Sequence, residues 1–537
     1  MIDRRTFIKT IGAAGGALIL NPFRNLNAYH TKASEYFGIH PFIEDNPNAV
    51  FIMLTDVDVK TNSEANKQVG LDFGRSVFVH LADELHGIPL TNNVVIKPNL
   101  TSRGKWDSRY TVEGSMGVVT DAYFVEGIIE RFKELEIPAS QVYLREVNGT
   151  ENMTEGGYGN VAERTGADIQ IINTVVDDIP EEQLQWIDVP DGIWFNKIPY
   201  LWPVNSPDSW LLNISKFKTH SMGMTLCAKN LQGSIAANYQ QHCSQYEREM
   251  NILYDHVNSD AKTVIKENYN RHVADGIPRW GRPQGSNNDG GLWMETWATR
   301  CLDNNSVTKP GLHIIEGIYG RDGHFIAGPN DGLANDYMTN ILIFGKNQFL
   351  VDIIGHWLGG HEPGNFGLFH LAKERGFISM LNPIDIPVYE WKTDGTAPEL
   401  KSLTNFERTP LKTCYLQRDY DGQNEDYWHI CDEPYDYSTN IDRSVASRKP
   451  GSFRLMQNYP NPFNNKTTIK FILPQSGFTR LDLYNTRGEI VDVLVNRYCD
   501  SGVHQVIWQA NQHPTGIYFY RLRLDDFIET KKLIYAK

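Results

Sequence analysis

The densest chemistry in the sequence is Lys216-Phe217-Lys218-Thr219-His220-Ser221, followed closely by Thr225-Leu226-Cys227-Ala228-Lys229-Asn230-Leu231-Gln232-Gly233. Lysine is a compact charge with three donors, and backbone N–H groups at a helix start add to it, so lysines, a histidine and hydroxyls this close together make an anion-binding set. The same residues equally describe a solvated basic loop that pairs with the protein's own acids. A second cluster, Glu316-Gly317-Ile318-Tyr319-Gly320-Arg321-Asp322-Gly323-His324, precedes Gly328-Pro329. Glu316, Asp322 and His324 are of types that ligate a metal or serve as acid and base, although a tight-turn loop accounts for them as well. His356, His361, Glu362 and His370 lack the His-Glu-x-x-His spacing, which excludes a zincin.

The first cluster directly follows Trp210-Leu211-Leu212-Asn213-Ile214, which reads as a buried strand. Ligands of open α/β sheets bind beyond the carboxyl ends of such strands. Val50–Leu54, Asn93–Lys97, Gln141–Arg145 and Ile169–Ile172 read as further strands, and Ala122–Leu135 as a helix with Phe124, Ile128, Ile129 and Phe132 on one face. The alternation predicts an α/β domain over residues 46–403, with a mixed, mostly parallel sheet and flanking helices. Residues 245–308 interrupt the pattern with polar sequence and Trp280, Trp293 and Trp297, and read as an insertion or lid over a cleft. Residues 415–450 read as an acidic linker. From 452 to 537 short alternating runs separated by turn residues predict an all-β sandwich.

The whole chain has 537 residues and a net charge of −14, with 41% hydrophobic and 22% charged residues, which excludes a disordered, collagen-like or coiled-coil protein. Its acidity argues against a nucleic-acid partner. No apolar run approaches the ~20 residues that an integral membrane span needs. The six cysteines include no Cys-x-x-Cys pair, so no iron–sulfur motif is present and the cofactor, if any, is unassigned. Residues 1–28 have the layout of a removable signal: Asp3-Arg4-Arg5-Thr6-Phe7-Ile8-Lys9, then a short apolar run. They carry four basic residues and one acidic, so their removal takes the net charge from −14 to −17.

Three resemblances sharpen these expectations. Arg4-Arg5-x-Phe7-Ile8-Lys9 resembles a twin-arginine export signal, which implies the twin-arginine machinery as a partner and passage to the periplasm. Gln457-Asn458-Tyr459-Pro460-Asn461-Pro462-Phe463, Tyr484–Gly488, Gly516–Tyr520 and the terminal Lys531–Lys537 resemble the type A sorting domain of Bacteroidetes type IX secretion, related to immunoglobulin-like modules. That resemblance implies transfer by the type IX machinery to the cell surface or beyond. Val95-Ile96-Lys97-Pro98-Asn99-Leu100, the Lys216–Gly233 block, Glu316-Gly317, Gly328-Pro329 and Asp352-Ile353-Ile354-Gly355 resemble the domain of unknown function 362 family over about residues 50–380.

The expected function is that of an exported envelope or surface enzyme acting on an anionic small molecule in a Lys/His-rich cleft. His220, Lys229 and Glu316 are the candidates for acid–base work; Lys97, Asn99, Lys216, Lys218, Thr219, Asn230 and Asp352 are those for ligand binding. His220, His242, Asp322 and His324 are weak metal candidates. The order His220, Lys229, His242 is also similar to that in nickel-pincer lactate racemases, although the paired glycines before the lysine are lacking. The alternatives are a non-catalytic surface ligand-binding protein and a cofactor-carrying redox or racemase-like protein.

Overall fold

The computed structural model describes residues 35–82, 87–100, 112–146, 157–171, 179–220, 223–236, 255–278, 280–281, 291–414, 417–418, 428–437, 454–458, 461–473, 477–499, 502–510, 513–524 and 527–536. The signal-like residues 1–28 and the candidate His242 lie outside them. The chain divides into two compact units, one ending at Tyr435 and one starting at Asp436.

The first unit is organised by a ten-stranded sheet. Its strands are β1 (Val50–Leu54), β2 (Asn93–Pro98), β3 (Val142–Glu146), β4 (Asp168–Ile171), β5 (Ser209–His220), β6 (Gly223–Thr225), β7 (Leu312–Arg321), β8 (Asp336–Gly345), β9 (Val388–Trp391) and β10 (Glu399–Lys401). Their order is β10-β9-β1-β8-β7-β5-β2-β3-β4, with β6 folded back on β5. The run β7-β5-β2-β3-β4 is parallel throughout, whereas β8 is antiparallel to both β7 and β1. The expected mixed, mostly parallel α/β sheet is thus the one observed. From β2 the chain winds outward through β3 and β4, then returns to place β5 and β7 on the other side of β2. The strand order therefore reverses between β2 and β5.

Parallel strands covered on both faces read as unbroken apolar runs, and these do. Val94, Ile96, Leu212, Ile214, Ile314 and Phe344 face one core, which also holds Phe73 and Val77 of helix α1 (Ser63–Val77) and Phe124, Ile128 and Phe132 of α2 (Ala122–Glu134). Asn62 and Asp121 cap these helices by accepting from Ala65 N and Phe124 N, which satisfies N–H groups that a helix start leaves open. The helices cross at glycines: a Cβ on Gly70 would stand 2.1 Å from Phe124 O, and one on Gly127 2.1 Å from Lys67 O. Val95 and Leu211 face the opposite core, with Leu231, Ile235, Ile265 and Leu292.

That second face carries the short helix α3 (Cys227–Asn230), then α4 (Ala261–Ala274), α5 (Gly291–Val307), α6 (Gln348–Leu358) and α7 (Gly367–Glu374). The described part of 245–308 thus contributes α4 and α5, and Met294, Trp297, Ala298, Cys301 and Leu302 of α5 are buried. His272 of α4 sits between Glu295 of α5 and Glu374 of α7, 2.7 Å from each.

The second unit is all-β and antiparallel, as its alternation predicts. Its strands are β11 (Lys466–Leu473), β12 (Gly477–Tyr484), β13 (Ile490–Cys499), β14 (Gly502–Gln509), β15 (Gly516–Leu524) and β16 (Phe527–Tyr535). Arg454–Leu455, β11 and β14 form one sheet, and β13-β12-β15-β16 form the other. One apolar core joins them, holding Ile469, Phe471 and Trp508 from the first and Leu481, Leu483, Tyr520 and Leu522 from the second.

Candidate functional site

The strand-order reversal puts the carboxyl ends of β2 and β5 side by side, where an open α/β sheet forms its ligand crevice. Lys97 and Asn99 stand at the end of β2, Lys216 and Lys218 at the end of β5, and Lys229 and Asn230 on α3, which follows β6. Asn230 stitches them together. Its Nδ2 donates to Asn213 Oδ1 at 2.8 Å and Lys97 O at 3.1 Å, and its Oδ1 accepts from Asn99 Nδ2 at 3.2 Å.

Lys97 is fully buried and donates to Glu146 Oε2 at 2.7 Å, a carboxylate at the end of the neighbouring β3. Glu146 also accepts from Leu100 N at 3.1 Å. Gly233 closes over this pair: a Cβ there would stand 2.2 Å from Glu146 Oε1 and 2.8 Å from Lys97 Nζ. At the final glycine of the Lys-Asn-Leu-x-Gly block a side chain would have to displace the ends of this buried ion pair, so its role is close approach.

One strand further on, Lys216 meets its register partner Glu316 of β7. It donates at 2.7 and 3.0 Å, and its Nζ lies 3.4 Å from the centre of the Tyr319 ring. Burial pulls Lys216 below the usual lysine range and pushes Glu316 above the usual carboxyl range, each shift opposed by the other's charge. Glu316 also accepts from Asp121 N and Ile318 N, both at 3.0 Å, so each of its oxygens holds two donors. Asp121 accepts in turn from Tyr319 Oη at 2.7 Å.

Lys218 is 2% exposed and donates to Val118 O. Burial, then the charges of Lys229, Arg321 and Lys216, hold its pKa well below the lysine range. Lys229 is 9% exposed. Among the described residues neither Lys218 nor Lys229 has a carboxylate at ion-pair distance. Beyond them, Thr219 Oγ1 lies 2.9 Å from Gly323 O and 3.1 Å from Lys412 O. The His220 ring meets the His324 ring edge-on at 4.9 Å, and the His220 carbonyl accepts from Thr413 Oγ1 at 2.9 Å.

Several expectations change here. Among the described residues two of the buried lysines are neutralised by carboxylates of neighbouring strands, so Lys97 and Lys216 hold the protein's own acids rather than a ligand. Asp352 of α6 accepts from Cys227 N at 2.7 Å and Ala228 N at 2.9 Å, so it holds the start of α3. Asp322 is taken up within its own loop by Asn335 N, Asn330 Nδ2 and Tyr337 Oη. Among the described residues no three His, Cys, Asp or Glu side chains come together to hold a metal ion. His361 bonds Leu411 O and Cys431 N, and His370 bonds Gly364 O. Sequence reasoning missed Glu146, Asp121 and Tyr319. Glu146 carried a signal, an acid at the predicted end of a buried strand.

Residues 94–356 match the family described as a domain of unknown function (DUF362), and residues 457–536 match the secretion system C-terminal sorting domain. The chain thus joins a DUF362 domain to a type IX sorting tail. The tail implies interaction with the type IX secretion machinery and delivery to the cell surface or outside. No described helix is long and apolar enough to cross a membrane. No curated protein matches the chain. A solved structure of PorZ, an essential bacterial surface component of the type-IX secretion system of Porphyromonas gingivalis, is similar at 14% identity and a TM-score of 0.12. That similarity covers 16% of this chain and 12% of PorZ's, and carries no argument about fold or function.

Proposed function

We propose that this secreted surface protein binds an anionic small molecule, a carboxylate or a phosphate, at Lys218 and Lys229 where the strand order reverses. The observation that carries the reading is an imbalance of buried charge. Lys97 and Lys216 each have a carboxylate, whereas Lys218 and Lys229 have none among the described residues. Buried cations call for a counter-charge or lose their proton, and an anion supplies the first. Calorimetric titration of the purified protein with inorganic phosphate and with lactate tests this. Lys218→Met with Lys229→Met should weaken binding about 10- to 100-fold, the worth of one or two charge-assisted hydrogen bonds. Unchanged binding would sink the proposal.

Catalysis on the same anion is the second reading. Lys218 favours it, since burial and like charges leave its amine inclined to be neutral and so basic or nucleophilic. Against it, Glu316 and Asp322, the acids expected to work with His220, are occupied by other donors. Exchange of the α-hydrogen of bound lactate with deuterated solvent would support catalysis, including a racemase-like reaction.

Two further parts of the reading concern delivery. The Arg4-Arg5-x-Phe7-Ile8-Lys9 motif supports a twin-arginine route to the periplasm before the tail acts. Two antiparallel sheets around one core support an immunoglobulin-like sandwich for the tail.

A further inference from the structure

An antiparallel sheet with one face in the core normally turns polar side chains to water on the other. The β13-β12-β15-β16 sheet of the sorting tail does not. Phe478 and Tyr498 are register partners on its outer face, 58% and 65% exposed. Ile528 is 62% exposed beside Arg523, and Phe519 is 37% exposed beside Lys532.

Among these apolar groups stand Arg480, Arg521, Arg523 and Lys532, each on an outward position of its strand. Asp482 is the sole carboxylate on the outward positions of the four strands among the described residues. It is fully buried, accepts from Arg480 Nε at 2.8 and 2.9 Å, and takes a further bond from Arg523. Its charge is therefore consumed within the face. Arg521 lies over the Tyr484 ring at 5.1 Å and donates to Thr530 Oγ1, both neutral groups. The face is thus cationic and aromatic, the composition of interface hot spots rather than of a solvated surface.

We propose that this outer face docks on an acidic protein surface of the type IX secretion machinery. Arg521 and Lys532 supply the charge that steers the encounter, and the exposed aromatics supply the area that it buries. The proposal needs the sorting tail alone and is independent of the anion site.

The test uses the full chain expressed in a host with a working type IX system. Arg521→Glu with Lys532→Glu should cut the amount delivered outside the cell at least about tenfold, with the retained protein still protease-resistant. Arg521→Gln with Lys532→Gln, which removes charge with little change in shape, should lower delivery in the same direction. Arg521→Lys with Lys532→Arg should preserve it. Charge reversal at Lys466 and Lys470, exposed on the other sheet, should have no effect. Unchanged delivery by the Glu and Gln pairs would overturn the proposal. So would binding of the purified chain to phosphatidylglycerol vesicles that the Glu pair abolishes, since the face would then be a membrane contact.

Discussion

Asp352 shows how much of the site is held by one carboxyl group. Burial raises its pKa from 3.8 to about 7, against the two N–H groups of Cys227 and Ala228 that favour the charged form. The folded protein therefore keeps this proton over a range where the unfolded chain has lost it. Stability contributed by the group is complete below about pH 4 and is lost as pH rises towards 7. In Asp352→Asn that loss should disappear. The difference in unfolding free energy between wild type and variant should change by up to about 1.4 kcal/mol per pH unit across this window and flatten above it. Urea denaturation at a series of pH values measures this, and parallel profiles for the two proteins would refute it. Lys229 and Asn230 lie on the turn that Asp352 anchors, so ligand affinity should move with the same titration.

At the scale of elements, the Lys216–Glu316 pair ties β5 to β7, and the bond from Asp121 N to Glu316 adds the start of α2. Both side chains are fully buried, so removing one partner leaves the other uncompensated. Lys216→Met alone should cost about 3–5 kcal/mol, and Glu316→Leu alone a similar amount. The double variant should recover much of the loss, because apolar groups need no counter-charge. A double-mutant cycle by chemical denaturation reads the coupling, and additive losses would show that the pair is not a unit. Such pairings explain what the sequence revealed and what it hid. The Lys216–Gly233 block was legible because strand, lysines and glycine follow one another along the chain. Glu146 and Glu316 lie 49 and 100 residues from the lysines that they neutralise, and strand register, which sets those partners, leaves no local trace. The parallel strands were visible as apolar runs. The antiparallel entry of β8 between β7 and β1 was not, because alternation gives the period of a strand and not its direction.

At the scale of the whole molecule, the boundary between the two units lies in a stretch whose composition reads as a linker. The α/β domain was expected to end at 403, yet the first unit runs to Tyr435. The added segment is fixed mainly by backbone hydrogen bonds, which hydrophobic periodicity does not report. Thr409 N donates to Leu358 O, Leu411 N to Gly359 O, Gly323 N to Lys412 O and Glu362 N to Cys431 O, at 2.7–3.0 Å. Its own Leu411 and Cys414 are buried, and its Thr413 reaches the carbonyl of His220. The segment is thus a strap across the carboxyl end of β5 and part of the candidate site, whatever its linker-like composition. Bonds of this kind contribute about 1 kcal/mol each, and a domain has only about 5–15 kcal/mol in all. A chain ending at Leu403 should therefore melt far lower than one ending at Tyr435, or fail to fold. The longer one should keep the transition that the first unit has in the full protein. Scanning calorimetry of the two truncations and the full chain decides the matter, and equal melting of both truncations would show that the strap is dispensable. The charge pattern agrees with this division: residues 452–537 carry eleven basic and seven acidic residues in a chain of net charge −14. The acidic unit with its strap and the basic tail are then separate devices, one carrying the proposed anion site and one for the route out of the cell.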